Sequence, residues 1–253
     1  MITIKGAAAV AKMRAAGQVV TDTLVMLGEN IRPGITTGKL CDLADAYIRA
    51  RGGIPTFLGY EGFPKSICIS VNEQVVHGIP GRYRLREGDI VSCDVGVILQ
   101  AYQGDAARTF LVGQVEESTQ RLVRVTRECF FKGLAYCRAG CRVSDVSRAI
   151  QQHAESQGYG VVRALVGHGI GTQLHEEPEV PNFFSPKAKA RLQPGMTLAI
   201  EPMINMGTER VTTLADGWTV VTEDGRPSAH YENTVLITEG EPELLTGADD
   251  DRT

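Results

Sequence analysis

IVSCDVGVILQAYQGDAARTFLV, residues 90–112, is apolar, rich in β-branched residues and free of proline, the composition of β-strand. It is too long for one typical strand of about 5–6 residues, which predicts a hairpin. A two-residue turn at Leu99–Gln100 pairs Ile98 with Ala101 and sets Asp94 directly opposite Asp105. Directly paired residues have Cβ atoms roughly 4.5–5.5 Å apart, where like charges repel. Such a pair shares either one proton or a metal ion; the plainer reading makes one aspartate a turn or edge residue. Leu99–Gln100 is not favoured turn chemistry, so the pair alone decides nothing.

An internal echo strengthens the case. REGDIVSCD, ending at Asp94, resembles QPGMTLAIE, ending at Glu201, each with a glycine six residues before the carboxylate and an apolar run between. Upstream, IRPGITTGKLCDLADAYIRARGG (31–53) lines up with CRAGCRVSDVSRAIQQHAESQGY (137–159) at a shift of 106. Helix and strand echoes in the same order argue for two similar halves. A period this long is not that of a solenoid. Amphipathic helices are expected at about 5–28, 37–51, 116–138 and 143–157, with Thr36 a cap and Gly52-Gly53 a stop. Strands are expected at 66–71, 90–98, 101–112, 160–167, 197–204, 217–222 and 229–237. The tail GADDDRT reads as frayed.

Asp94, Asp105, His168, Glu201 and Glu232 each end or interrupt an apolar stretch that reads as strand. A charge on a buried strand costs several kcal/mol or more unless compensated. Four carboxylates cannot compensate one another, but cations between them can, and oxygens with one imidazole suit two divalent metals. His168, in VGHGIG, taken alone is more often a loop residue than a ligand. His77 and His175 are equally ambiguous by themselves, and no helix-spaced HExxH signature is present.

PKSICISVNEQVVHGIP (64–80), DIVSCDVGVILQAYQGDAART (89–109), GHGIGTQLHEEP (167–178), GMTLAIEP (195–202) and SAHYENT (228–234) resemble the type I methionine aminopeptidase family over nearly the whole chain. The resemblance implies an α/β (α+β) pita-bread fold of the creatinase/aminopeptidase kind, with pseudo-two-fold halves around a curved antiparallel sheet. One catalytic domain, 1–253, would contain half-repeats at about 5–112 and 116–237. Two divalent ions (Co, Mn, Fe or Zn) are implied, Asp94 chelating one, His168 and Glu201 the other, with Asp105 and Glu232 bridging. A hydroxide held between the ions would attack the first peptide carbonyl. Glu201 would shuttle the proton, and His175 would donate to the oxyanion. His77 would position the next amide, and Phe57, Tyr60, Phe63, Cys68, His77 and Trp218 would receive the methionine side chain. A monovalent cation site is implied near Asn72, Gln74 and Ser228. Phe57, Gly96 and Leu174 depart from familiar bacterial members, which commonly carry cysteine, threonine and an aromatic there.

The implied activity is removal of the initiator methionine from nascent chains whose second residue is small. The alternatives are an Xaa-Pro aminopeptidase, for whose usual N-terminal domain the chain has no room, and a non-catalytic pita-bread binding protein, against which all five ligands stand. A net charge of −4 with interspersed signs shows no extended nucleic-acid footprint; a local ribosome patch stays open. Six cysteines without a CxxC pair read as buried thiols. Lys5, Lys12 and Arg14 interrupt any signal core, and no segment reaches membrane-spanning length. A cytoplasmic monomer is expected.

Overall fold

A computed structural model of the chain describes residues 2–247. Residues 90–112 do fold back on themselves, Ile90–Leu99 pairing antiparallel with Tyr102–Leu111. The turn, however, is Gln100–Ala101, both residues in the left-handed region at φ 51° and 65°, the backbone a two-residue I′ hairpin requires. Leu99 therefore pairs with Tyr102, Asp94 with Ala107, and Asp105 with Gly96. The expected direct Asp94–Asp105 pairing is wrong by a shift of two. Side-chain packing explains the shift: Leu99 stays in the strand against the first-half core, while Gln100 and Ala101 are exposed. A shift of two preserves strand parity, so both aspartates still share one face, as diagonal neighbours.

Four helices, α1 (Ala7–Asn30), α2 (Thr37–Ala50), α3 (Glu117–Leu134) and α4 (Val143–Ser156), fall close to the expected spans. Thr36 caps α2 by accepting the Lys39 N–H at 3.1 Å. The repeat is visible in the backbone itself. Gly34 and Gly140 both have φ +91°, and Gly88 and Gly195 have +89° and +85°. Isolated bridges join Thr36 to Arg84 in one half and Arg142 to Arg191 in the other. Each half encloses its own apolar core, with α1 and α2 on the hairpin in the first and α3 and α4 in the second. A third cluster, including Met13, Phe57, Phe63, Cys68, Ile170 and Leu174, lies where the halves meet.

Two expected strands are each broken in the middle. The stretch 197–204 becomes Thr197–Ile200 and Met203–Asn205, and 229–237 becomes Ser228–His230 and Asn233–Leu236. Pro202 supplies no backbone donor, and the halves of each strand pass into different sheets. Ile200 pairs with Asn233 and Met203 with His230, so the register is unchanged across the break. Similarly, 160–167 resolves into Gly160–Val161 and Gly167–Gly169, and 217–222 shortens to Val220–Thr222. Strands at Ile54–Pro55, Gln74–Val76, Glu176–Val180, Val211–Thr213 and Glu243–Leu244 were not anticipated.

Ala107 and Glu232 exchange backbone hydrogen bonds at 2.9 and 3.3 Å, stitching the two halves together. A transverse row results: Cys68, Asp94, Ala107, Glu232, Glu201. All six cysteines are free thiols, five of them buried. The chain end is not frayed at once: Thr246 is buried and the Gly247 N–H reaches the Thr21 hydroxyl at 2.8 Å. The rest of the expected tail lies outside the described residues. Among those described, no helix is long and apolar enough to cross a membrane.

Candidate metal centre

The transverse row opens into a cavity of about 120 Å³. Asp94, Asp105, His168, Glu201 and Glu232 line it together with His77, His175, Phe57, Tyr60, Phe63, Cys68 and Trp218. Residues singled out along the chain for ligand or pocket character thus meet in one place, with Leu174 and Glu61 beside them. Ligand atoms of Asp105, His168 and Glu232 lie within 4.8 Å of one another, as do those of Asp94, His230 and Glu232.

The electrostatics of this cluster demand a counter-charge. Burial pushes the Asp94 carboxyl up to about 7. Burial, then repulsion among neighbouring carboxylates, holds Asp105, Glu201 and Glu232 well above the usual carboxylate range. Asp94 Oδ1, Asp105 Oδ1 and Glu232 Oε1 are buried with no hydrogen-bond partner among the described residues, an arrangement native proteins rarely leave uncompensated. Converging orphaned oxygens with an imidazole form a donor set suited to divalent metal ions.

His168 presents Nε2 to the cluster, 3.6 Å from Glu201 Oε1, while its Nδ1 lies 2.9 Å from the Gly169 carbonyl. With Nδ1–H donating to that carbonyl, Nε2 keeps its lone pair for a metal. Burial lowers the ring to about 4, keeping it neutral. His175 stacks edge-on against His168, ring centroids 4.4 Å apart, and its Nδ1 is 2.8 Å from the Tyr60 hydroxyl. If that hydroxyl donates, Nε2–H of His175 is left as a donor. Burial lowers the ring below the usual histidine range. Beside it, Glu176 accepts from Lys5 Nζ at 2.7 Å, from the Thr172 N–H at 3.0 Å and from the Thr3 hydroxyl. His77 (φ 59°) sits edge-on to Trp218 at 6.3 Å, and Phe63 meets the same indole at 5.2 Å.

Asn72 and Ser228 are joined outside this cavity, the Ser228 N–H donating to the Asn72 carbonyl at 2.9 Å. Gln74 is tied nearby, its side-chain oxygen accepting the Val71 N–H at 2.9 Å.

His230 is the residue the sequence reading missed. It is buried, with Nε2 3.9 Å from Glu201 Oε2 and 3.8 Å from Glu232 Oε2 and without a hydrogen bond among the described residues. Burial lowers its ring to about 3. The signal was available: His230 and Glu232 are two apart in a strand-like run, and period-two alternation puts such residues on one face.

A pita-bread arrangement of antiparallel sheets around converging carboxylates and imidazole defines a metal-dependent hydrolase. The chain belongs to metallopeptidase family M24, whose model matches residues 11–239. It is 53% identical over 246 residues to a methionine aminopeptidase of Clostridium perfringens, covering 97% of this chain and 99% of that one. To the Escherichia coli methionine aminopeptidase it is 41% identical, covering 99% and 96%. The crystal structure of a Thermotoga maritima methionine aminopeptidase superposes with a TM-score of 0.96 at 45% identity, covering 98% of this chain and 100% of that one. A Pyrococcus furiosus prolidase, at 19% identity and a TM-score of 0.77, shares the fold.

Proposed function

We propose that this metallopeptidase removes the N-terminal methionine of peptides and nascent chains whose second residue is small. The observation that carries the reading is the cluster of buried, unpartnered carboxylate oxygens opening onto a small aromatic-lined cavity. Two divalent ions would be held by Asp94, Asp105, His168, Glu201 and Glu232, whose oxygens and imidazole fit such a donor set. Bound there, the ions would supply an acidified water and positive charge for a polarised carbonyl. The chain's own groups do the rest. Glu201 takes the proton from the attacking water and passes it to the leaving amine. Nε2–H of His175 donates to the developing oxyanion, an interaction that strengthens in the transition state. His77 orients the amide of the following residue. Phe57, Tyr60, Phe63, Cys68 and Trp218 receive the thioether, a flexible, polarizable chain suited to aromatic walls.

The identity of the metal is open among Co, Mn, Fe and Zn, all of which accept mixed oxygen and nitrogen ligands. Carbonyls near Asn72, Gln74 and Ser228 are the candidate monovalent cation site. The reading also takes residues 1–253 as one domain and the protein as a cytoplasmic monomer that can act at the ribosome. The reacting carbonyl must lie within about 3–3.5 Å of its nucleophile, which presses the second residue against the floor between His77 and His175. Metal-reconstituted protein should cleave Met-Ala-Gly rapidly and Met-Lys-Gly poorly. Equal rates on the two peptides would refute the steric gate, and preferential cleavage of Ala-Pro-Gly would reassign the enzyme to Xaa-Pro substrates.

A further inference from the structure

Gly96 has no conformational reason to be glycine. Its φ is not among the positive values in the chain, and it sits in the middle of a regular strand, opposite Asp105 and two residues from Asp94. What excludes a side chain is its neighbour. A Cβ at 96 would stand 2.8 Å from Cε1 and 3.0 Å from Cζ of the Phe57 ring, and 3.0 Å from Cβ of Thr56. Real Cβ atoms do not approach a ring so closely, so ring and side chain cannot share that space.

The ring can give way only toward the cavity it lines. The Thr56 N–H donates to the Gly96 carbonyl at 2.9 Å, and the Thr56 hydroxyl donates to Gln103 Oε1 at 2.8 Å. This pins the backbone just before Phe57 to both strands of the hairpin that carries Gly96. Phe57 itself is buried in the joint between the halves, among Phe63, Cys68 and Leu174, and one edge of it lines the metal cavity. Positions 57 and 96 therefore contend for one volume, which opens on one side onto the candidate ligands.

We propose that Phe57 and Gly96 act as one specificity-determining unit, in which the Phe57 ring takes the volume of the missing side chain at 96 and so sets the wall against which the substrate's first side chain rests. The proposal rests on the aminopeptidase reading above and adds the source of its first-residue selectivity. A flat ring seated this deep favours an unbranched side chain lying along it, with sulfur against the aromatic edge. It also fixes the length of the pocket. A valine at 96 would drive the ring into the cavity. An alanine at 57 would free the space behind it for a longer substrate chain.

The test is a cycle of Gly96→Val, Phe57→Ala and the double variant. Each is assayed as metal-loaded enzyme on Met-Ala-Gly and on the ethionine analogue, one methylene longer. A methylene in an apolar pocket is worth about tenfold or more in discrimination. Gly96→Val should raise KM for Met-Ala-Gly about tenfold, with a smaller change in kcat. Phe57→Ala should shift preference toward ethionine by a similar factor. The double variant, which exchanges ring volume for side-chain volume, should recover most of the methionine KM and lose the ethionine preference. Single effects on KM that simply multiply would overturn the unit, as would a double variant worse than either single. Should Gly96→Val fail to fold, Gly96→Ala with Phe57→Ala closes the same cycle. Wild-type protein that ignores Met-Ala-Gly would sink the aminopeptidase reading instead, so the two failures are distinguishable.

Discussion

Glu201 faces Glu232 at the one point where both of their strands break, the pairs Ile200–Asn233 and Met203–His230 holding the same register on either side. Two glutamates aligned in this way repel. Arg108 donates to the Glu232 backbone carbonyl at 2.6 Å and to the Asn233 side-chain Oδ1 at 2.8 Å. The side chains are left to the cavity, with Asp94 and Asp105 on the adjoining hairpin. Such a cluster takes up either protons or cations, and the first predictions follow from the cation-bound case.

Asp105→Ala removes a carboxylate from the middle of the cluster. Peptidase activity should fall by about 10²-fold or more, since supporting metal contacts alone are worth about 10–100-fold. Metal content, measured on protein purified without chelator, should fall with it. Near-normal turnover with an unchanged metal content would remove Asp105 from the ligand set.

The two histidines at ring contact should fail differently. His168→Ala should weaken metal binding, because Nε2 points at Glu201. His175→Ala should retain metal and lose about 10²–10³-fold in kcat, the scale of one oxyanion donor. Titration with a colorimetric chelator alongside kinetics separates the cases; metal loss in the His175 variant alone would reverse the two roles.

His230 stands within 4 Å of both Glu201 and Glu232 without lining the cavity itself. His230→Leu keeps the volume and removes Nε2 from between two carboxylates. Metal affinity should fall about 10–100-fold, while KM at saturating metal stays near the wild-type value. Unaltered metal affinity would make His230 a packing residue only.

Lys5 and Glu176 form a buried pair, with side chains only 6% and 10% exposed. Burial works against the Glu176 charge, but Lys5 and Thr3 outweigh it and hold the carboxyl below its usual range. Lys5→Met removes the cation, leaves that carboxylate to neutral donors such as Thr3 and Thr172, and should cost about 1–3 kcal/mol. A depressed carboxyl pKa contributes stability that is full above the unfolded value and lost as pH falls through the folded one. The gap in unfolding temperature between wild type and Lys5→Met should therefore be wide at neutral pH and close in acid. A gap independent of pH would assign the loss to packing.

Much of this was legible in the chain. Carboxylates inside apolar, β-branched runs marked the site, because such charges need a partner wherever the strands go. The hairpin was read in the wrong register but the right parity, and parity alone brought Asp94 and Asp105 to one face. Helices α1 to α4 follow from apolar periodicity, with a local cap at the start of α2. Long-range pairing was not legible: the breaks at Glu201-Pro202 and Tyr231-Glu232 arise where a strand leaves one sheet for another. His230 was missed although its two-residue spacing from Glu232 marked it; only its burial depends on that bend. The Phe57–Gly96 contact joins residues with nothing in their local sequences to link them.

The transverse row from Cys68 to Glu201 carries a consequence for biosynthesis. Its acids come from both halves, and Asp94 emerges long before Glu232. At about 5–20 residues per second the interval between them is roughly 7–28 s. During that time the first-half carboxylates exist without their partners, and the centre cannot mature. Catalytic competence therefore arrives late and all at once, when the last strand docks. A chain truncated before residue 232 would be inert however well its first half folded. The order of synthesis itself would keep the centre latent until that moment.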